Sequence, residues 1–384
     1  MRPGLPSAWQ TPIERTATMN FEFSDEMIML GEQAERLFAA RDARKTARAV
    51  LDGATHRYDA ALWREMASLG WMGVAIPEAY GGAGLGAQAL CIIAEQIGRS
   101  LAAIPYATTL YLAAEAILLA GTEDQKQALL PAIAAGERIM SFVDATTGAR
   151  PGQVGRDGTI HADALLAPEG EIAGSLVLAA LDADGEIGLF LVDLSQAGVK
   201  RAPITTIDPT RNHGLLTLSH VAAERLGSGA ITRATLDRLI ANAMIPLAFE
   251  QVGGATACLT MARDYALERH AFGRPIGSFQ AIKHKLARMF VANELARSNA
   301  YYGAWALSTN APDLAEAAAI ARLTAIDAYH FAARECLEVF GGLGFTWEAD
   351  CHLYIRRAKL LASAFGGTVK WSETLMAQIE PRYR

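Results

Sequence analysis

The sequence predicts an α+β protein in which helical regions flank a central β section. Three observations carry this expectation. Apolar residues recur at three- and four-residue spacing from Ser24 to about Gly136, short apolar runs separated by turns fill Ile139 to about Leu226, and helical spacing returns from Ala230 onward. A chain of 384 residues, half hydrophobic and one fifth charged, has ample material for two or three such layers. Its formal net charge of −6 leaves no broad basic surface and speaks against nucleic acid as a partner.

Residues 1–18 are Pro-rich and lack the apolar stretch of a secretion signal, so they read as a disordered or extra arm, with Met19 as a natural beginning. A helical domain is expected over 19–138. Ser24 can cap its first helix, with Asp25 and Glu26 at the positive end. Helical spacing follows through Met27–Ala40, Ala60–Leu69, Ala87–Leu101, Thr108–Leu119 and Glu123–Ala135. The glycines between Ile76 and Gly86 force a turn-rich loop.

Runs such as Leu176–Ala180 and Ile187–Val192, bounded by Asp-Gly and Ala-Gly, predict antiparallel strands within 139–227. Residues 228–384 read as helical, opening with a span of up to ~35 residues that ends near Arg269, or about 50 Å. No apolar run approaches the ~20 residues needed to cross a bilayer. Cys91, Cys258, Cys336 and Cys351 show neither CxxC nor metal-ligand spacing, which favours reduced thiols in a cytoplasmic protein.

The most chemically informative stretch is Arg269-His270-Ala271-Phe272-Gly273-Arg274-Pro275-Ile276-Gly277-Ser278-Phe279-Gln280, a helix end, a turn and a new helix. Its guanidinium, ring face and amide suit an elongated anionic ligand. Gly341-Gly342-Leu343-Gly344 follows another helix, and glycine lets backbone approach a ligand closely. A plainer reading stands beside each. Arg269 can cap its helix, Phe272 can be core, and Gly341 can be a helix C-cap.

Together with the Ile76-Pro77-Glu78 loop and the Gly121–Glu137 segment, these motifs resemble the acyl-CoA dehydrogenase family over about residues 20–370. The resemblance implies an N-terminal helical domain, a middle β-barrel and a C-terminal four-helix bundle. It implies FAD held at a subunit interface, with Arg269, Phe272 and Gln280 on its diphosphate and adenosine half. It also places Gly341, Gly342, Thr368 and Glu338 beside the cofactor, Glu338 standing where the family usually has Gln. Met140–Gly148 lies where members carry a Thr-Glu-Pro segment beside the flavin ring, and only Thr146, Thr147 and Gly148 match it. The implied partners are an acyl-CoA substrate and an electron-transfer flavoprotein.

The chemistry the family performs, α,β-dehydrogenation of a thioester, needs a carboxylate base with a pKa near neutrality. Its loop position holds Gly366 here, in Phe365-Gly366-Gly367-Thr368, and its alternative on the long helix holds Ala243, with Met244 beside it. Glu250, among apolar residues and glycines two turns beyond Ala243, is the candidate base, with a buried ion pair as the alternative; Asp144 is a weaker candidate. Some bacterial members resemble this chain in lacking the loop Glu. They form α2β2 heterotetramers acting on bulky CoA thioesters such as sterol side chains, and a homo-oligomer is the other expectation. Two alternatives follow: a non-catalytic partner subunit that completes another subunit's FAD site, or a flavin oxidase or monooxygenase on the same fold.

Overall fold

Ser24 acts as the expected cap: its hydroxyl accepts from the Met27 amide at 3.3 Å, opening α1 (Asp25–Arg41). The computed structural model describes residues 24–53, 57–147 and 151–382, so the expectations about the arm, Met19 and Gly148 lie outside the described residues. α2 (Ala43–Leu51) had not been read from the sequence. α3 (Ala60–Ser68) and α4 (Gly86–Ser100) follow at the expected places. Gly82 marks the tightest point of the loop between them, where an added β-carbon would stand 1.9 Å from the Ile76 carbonyl oxygen.

The stretch expected as a single helix over Thr108–Leu119 is instead a π-helical segment, Ala107–Ala114, continuing into α5 (Glu115–Ala120). Thr108 to Ala114 are all buried, so packing rather than local propensity sets this wider turn. α6 (Glu123–Ala134) starts with the complete Thr122–Gln125 capping box.

Seven strands then run from β1 (Met140–Asp144) and β2 (Gln153–Val154) through β3 (Thr159–Pro168), β4 (Ser175–Leu181), β5 (Ile187–Asp193) and β6 (Val199–Pro203) to β7 (His213–Leu226). β4 pairs with β5, β5 with β7, β7 with β3, β3 with β2, and β2 returns to β4, closing a small barrel. The antiparallel expectation holds for most pairs but not for β1 and β2 on β4, both of which are parallel. Closure removes the exposed edges an open sheet would leave.

The C-terminal bundle is built on α7 (Arg233–Glu268), with α8 (Gln280–Thr309) and α9 (Leu314–Phe340) beside it and α10 (Cys351–Ser363) and α11 (Thr368–Ile379) behind. Glycine sets how closely the helices approach. A β-carbon at Gly98 would lie 1.8 Å from the Glu250 carbonyl oxygen, and one at Gly253 would lie 2.0 Å from that of Glu95. α4 and α7 therefore touch backbone to backbone. On the opposite side the Tyr329 ring covers Gly254, where a β-carbon would stand 2.3 Å from its Cζ. No described helix is long and apolar enough to cross a membrane.

Because the Gly253 contact is backbone on backbone, no rotamer change can relieve an added methyl. Gly253→Ala should destabilise the protein by about 3 kcal/mol, read as a lower urea midpoint at unchanged slope, whereas Gly229→Ala, which meets open space, should leave the midpoint in place.

Candidate functional site

The ends of three helices gather into an exposed platform. α7 stops at Glu268, and Arg269 N donates to Tyr265 O at 2.8 Å. A two-stranded hairpin, β8 (His270–Ala271) and β9 (Arg274–Pro275), then reverses the chain into α8, whose first residue is Gln280. Phe272 sits at the hairpin tip with φ +56° and 94 % exposure. It meets Phe279 edge-on at 6.1 Å, while the Arg274 guanidinium lies 4.1 Å above the Phe279 ring. Tyr265 stacks on Phe340 at 4.1 Å, which brings the Gly341 turn to the same end of the bundle.

Gly341 and Gly342 face open space, and Phe345 beyond them is 75 % exposed. A bare ring, a free-standing guanidinium and an uncovered glycine turn fit a ligand or subunit laid across them, and they fit the adenosine-diphosphate end of a dinucleotide. Glu338 does not stand there as a bare charge, because Lys285 Nζ binds it at 2.5 Å and also binds Glu335.

The second feature is a cavity of about 460 Å³ between the barrel and the bundle. Its walls bring together Ala243 and Met244 of α7, Phe365 and Gly366 before α11, Asp144 at the end of β1 and Thr147 after it. Positions far apart in the chain, singled out by the missing-base argument, thus meet in one chamber. Neither Ala243 nor Gly366 can carry a proton. The space beside Gly366 is filled by the Lys370 stem: a β-carbon there would lie 2.3 Å from Lys370 Cδ, and φ is +97°. Asp144 is engaged by Thr146, whose N and Oγ1 donate to it at 3.0 and 2.6 Å. Thr368 begins α11 just beyond this chamber, so it stands apart from Arg269, Phe272 and Gln280 within one chain.

Beneath the chamber lies a buried ion cluster. Glu250 is 0 % exposed; its Oε1 accepts from the Arg211 guanidinium and from Arg357 Nη1 at 3.2 Å. Arg357 Nε also donates to Asp208 at 2.5 Å and its Nη2 to Thr210 at 2.7 Å. Arg211 Nη1 donates to Ile104 O at 3.0 Å. The sequence left Glu250 open as either a desolvated candidate base or a member of a buried ion pair. Two guanidinium groups from distant segments make it the ion pair, and Glu250 is not among the residues lining the chamber.

Sequence reasoning missed three chamber residues: Glu169, Arg211 and Lys370. Glu169 is 4 % exposed and its carboxylate makes no hydrogen bond or ion pair among the described residues. Burial pushes its pKa up to about 7, with the Arg211 and Arg357 charges opposing the shift. Pro168-Glu169-Gly170 reads locally as an ordinary strand-end turn, and no sequence signal separates it from a solvated one.

The family model for the acyl-CoA dehydrogenase N-terminal domain matches residues 24–137, and that for the C-terminal domain matches 233–379. The acyl-CoA dehydrogenase IpdE2 of Mycobacterium tuberculosis is 34% identical over 337 residues, covering 87% of this chain and 91% of that protein. FadE34 of the same organism is also 34% identical, over 81% of this chain; the chain spans only 41% of that longer protein's length. A variant of the Tcur3481-Tcur3483 steroid ACAD superposes with a TM-score of 0.84 at 32% identity, covering 93% of this chain and 98% of that one.

The ion cluster generates its own prediction. Arg357→Met preserves volume but leaves Asp208 and Glu250 buried against a single guanidinium. It should cost about 3–5 kcal/mol in equilibrium urea unfolding; a loss below about 1 kcal/mol would mean the pair is dispensable.

Proposed function

The chain belongs to the acyl-CoA dehydrogenase family of flavoprotein oxidoreductases, and on that premise we propose that it serves FAD-dependent α,β-dehydrogenation of a bulky acyl-CoA thioester as one subunit of an oligomer. The observation that carries this reading is the chamber, where the segments of both family base positions and the flavin-facing strand converge. Its volume of about 460 Å³ and small wall residues, Ala107, Ala243, Ala364 and Gly366, suit a branched or ringed acyl group. The similarity to a steroid ACAD supports the same substrate class.

The position of the platform supports an assembly. Arg269 lies 25 positions beyond Met244 along α7, a separation of about 37 Å at the helical rise. On this reading Arg269, Phe272, Gln280, Gly341 and Gly342 reach the diphosphate and adenosine of FAD seated in another subunit. Thr368 lies just beyond the chamber of its own chain, and Glu250 is structural. FAD held there would supply the acceptor for the substrate's β-hydride, with an electron-transfer flavoprotein as the proposed recipient of its electrons.

One observation favours a second reading. With Gly366 covered by the Lys370 stem and Ala243 apolar, this chain can act as the partner that completes the flavin site of a dissimilar, base-carrying subunit in an α2β2 assembly.

The visible spectrum of the protein purified alone, followed by anaerobic addition of CoA esters, tests both. Yellow protein that bleaches establishes a self-sufficient dehydrogenase. Colourless protein, or yellow protein that never bleaches, selects the partner reading. In the assembled protein Arg269→Ala should weaken FAD retention at least about tenfold, the loss of one charge-assisted contact; full flavin content would remove Arg269 from the site.

A further inference from the structure

We infer that the chamber recognises an oxygen on its ligand: the Thr108 and Tyr111 hydroxyls donate to a carbonyl carried by the acyl group, so the favoured substrate is a keto-acyl thioester. This rests on the dehydrogenation reading above and narrows its substrate class.

Neighbours on one helical segment differ in a telling way. Thr108 and Tyr111 line the chamber and are 6 % and 3 % exposed, yet their hydroxyls have no partner among the described residues. Tyr106 and Thr109 are equally buried but are not among the lining residues, and both are bonded. Tyr106 Oη donates to Trp71 O at 2.7 Å, and Thr109 Oγ1 accepts from Met140 N at 3.1 Å. Buried hydroxyls are nearly always paired, so two orphans in one cavity wall mark a place for a ligand atom or a water.

A helical threonine ordinarily turns its hydroxyl back to a carbonyl three or four residues earlier. Thr256 does so to Val252 O at 2.9 Å and Thr324 to Ile320 O at 2.8 Å. Thr108 does not, and the carbonyl four residues before it, Ile104 O, accepts from Arg211 Nη1 instead. Both free hydroxyls lie in the π-helical stretch Ala107–Ala114, and such wide turns recur at functional sites.

Charge decides which oxygen suits the wall. Arg211 also lines the chamber; it is paired with Glu250, and its Nε is a third buried donor without a partner among the described residues. The Glu250 and Arg211 charges both act on Tyr111, so its phenol lies near that pair. Burial holds the phenol well above its ordinary pKa, so it stays a proton donor. A carboxylate on the acyl group would meet Glu169 and Glu250 where Arg211 and Arg357 are already paired. A neutral carbonyl takes the free donors without adding a buried charge. Leu112, Phe142, Ile240 and Leu247 supply the apolar wall for the carbon frame around it.

The test compares two CoA thioesters of nearly the same shape, 3-(4-oxocyclohexyl)propanoyl-CoA and 3-cyclohexylpropanoyl-CoA, by calorimetric titration of the full-length protein with FAD supplied. Wild type should bind the ketone at least about tenfold tighter, the yield of one or two hydrogen bonds to otherwise unpaired donors. Thr108→Val with Tyr111→Phe removes both hydroxyls at nearly constant shape. It should bind the two esters equally, at the wild-type affinity for the cyclohexyl ester, and Tyr111→Phe alone should lose part of the preference. The urea midpoint of the double variant should hold or rise, because the hydroxyls removed had no partner to lose. Equal binding by wild type would mean that the hydroxyls hold a buried water only, and it overturns the inference. A ketone preference that survives in the double variant, or a clear fall in its midpoint, overturns it as well. Binding of neither ester overturns the dehydrogenation reading itself, and this inference with it.

Discussion

The buried charge cluster under the barrel is the interaction on which the rest of the structure depends. Asp208, Thr210 and Arg211 come from the loop before β7, Glu250 from the middle of α7 and Arg357 from α10. Three segments with no sequence proximity are thus locked together where water is absent. Buried ions are tolerable only when paired, so the barrel has essentially one seat on the bundle. That seat defines the chamber. It pairs Arg211 and Arg357 with Glu250 and Asp208, while burial raises the pKa of Glu169, the further carboxylate near them.

The long helix is the second constraint. α7 carries the chamber on its first half and the platform beyond its far end, and glycines at 253 and 254 let α4 and α9 press against it between the two. A rigid rod of this length keeps the two features apart within one chain. The exposed Phe272 and Phe345 and the glycine turn are costly to leave in water unless something covers them. On the proposed reading, chamber and platform are halves of sites that a neighbouring subunit completes.

Much of this was legible in the chain. The α6 helix, the Ser24 cap and the α7 span were read to within about three residues, because caps and long periodic runs are local signals. α2 escaped notice because its nine residues leave little room for a period to show. The π-helical segment was read as ordinary helix because its departure comes from packing on all sides. Parallel pairing of β1 with β4 was likewise invisible, since periodicity reports which face is buried and not the direction of the partner strand.

By itself the sequence determined the α+β class, the family, the absence of carboxylates at positions 243 and 366, and the constellation Arg269, Phe272, Gln280 and Gly341-Gly342. These depend on residue identity and short spacing. Tertiary structure alone decided which charges meet. Glu250 and Glu169 are both carboxylates among apolar neighbours in the linear text. Only the folded chain brings Arg211 and Arg357 to the first and leaves the second facing a cavity. The physical reason is that desolvation and ion pairing are set by distances across the fold, and those belong to no local stretch of sequence.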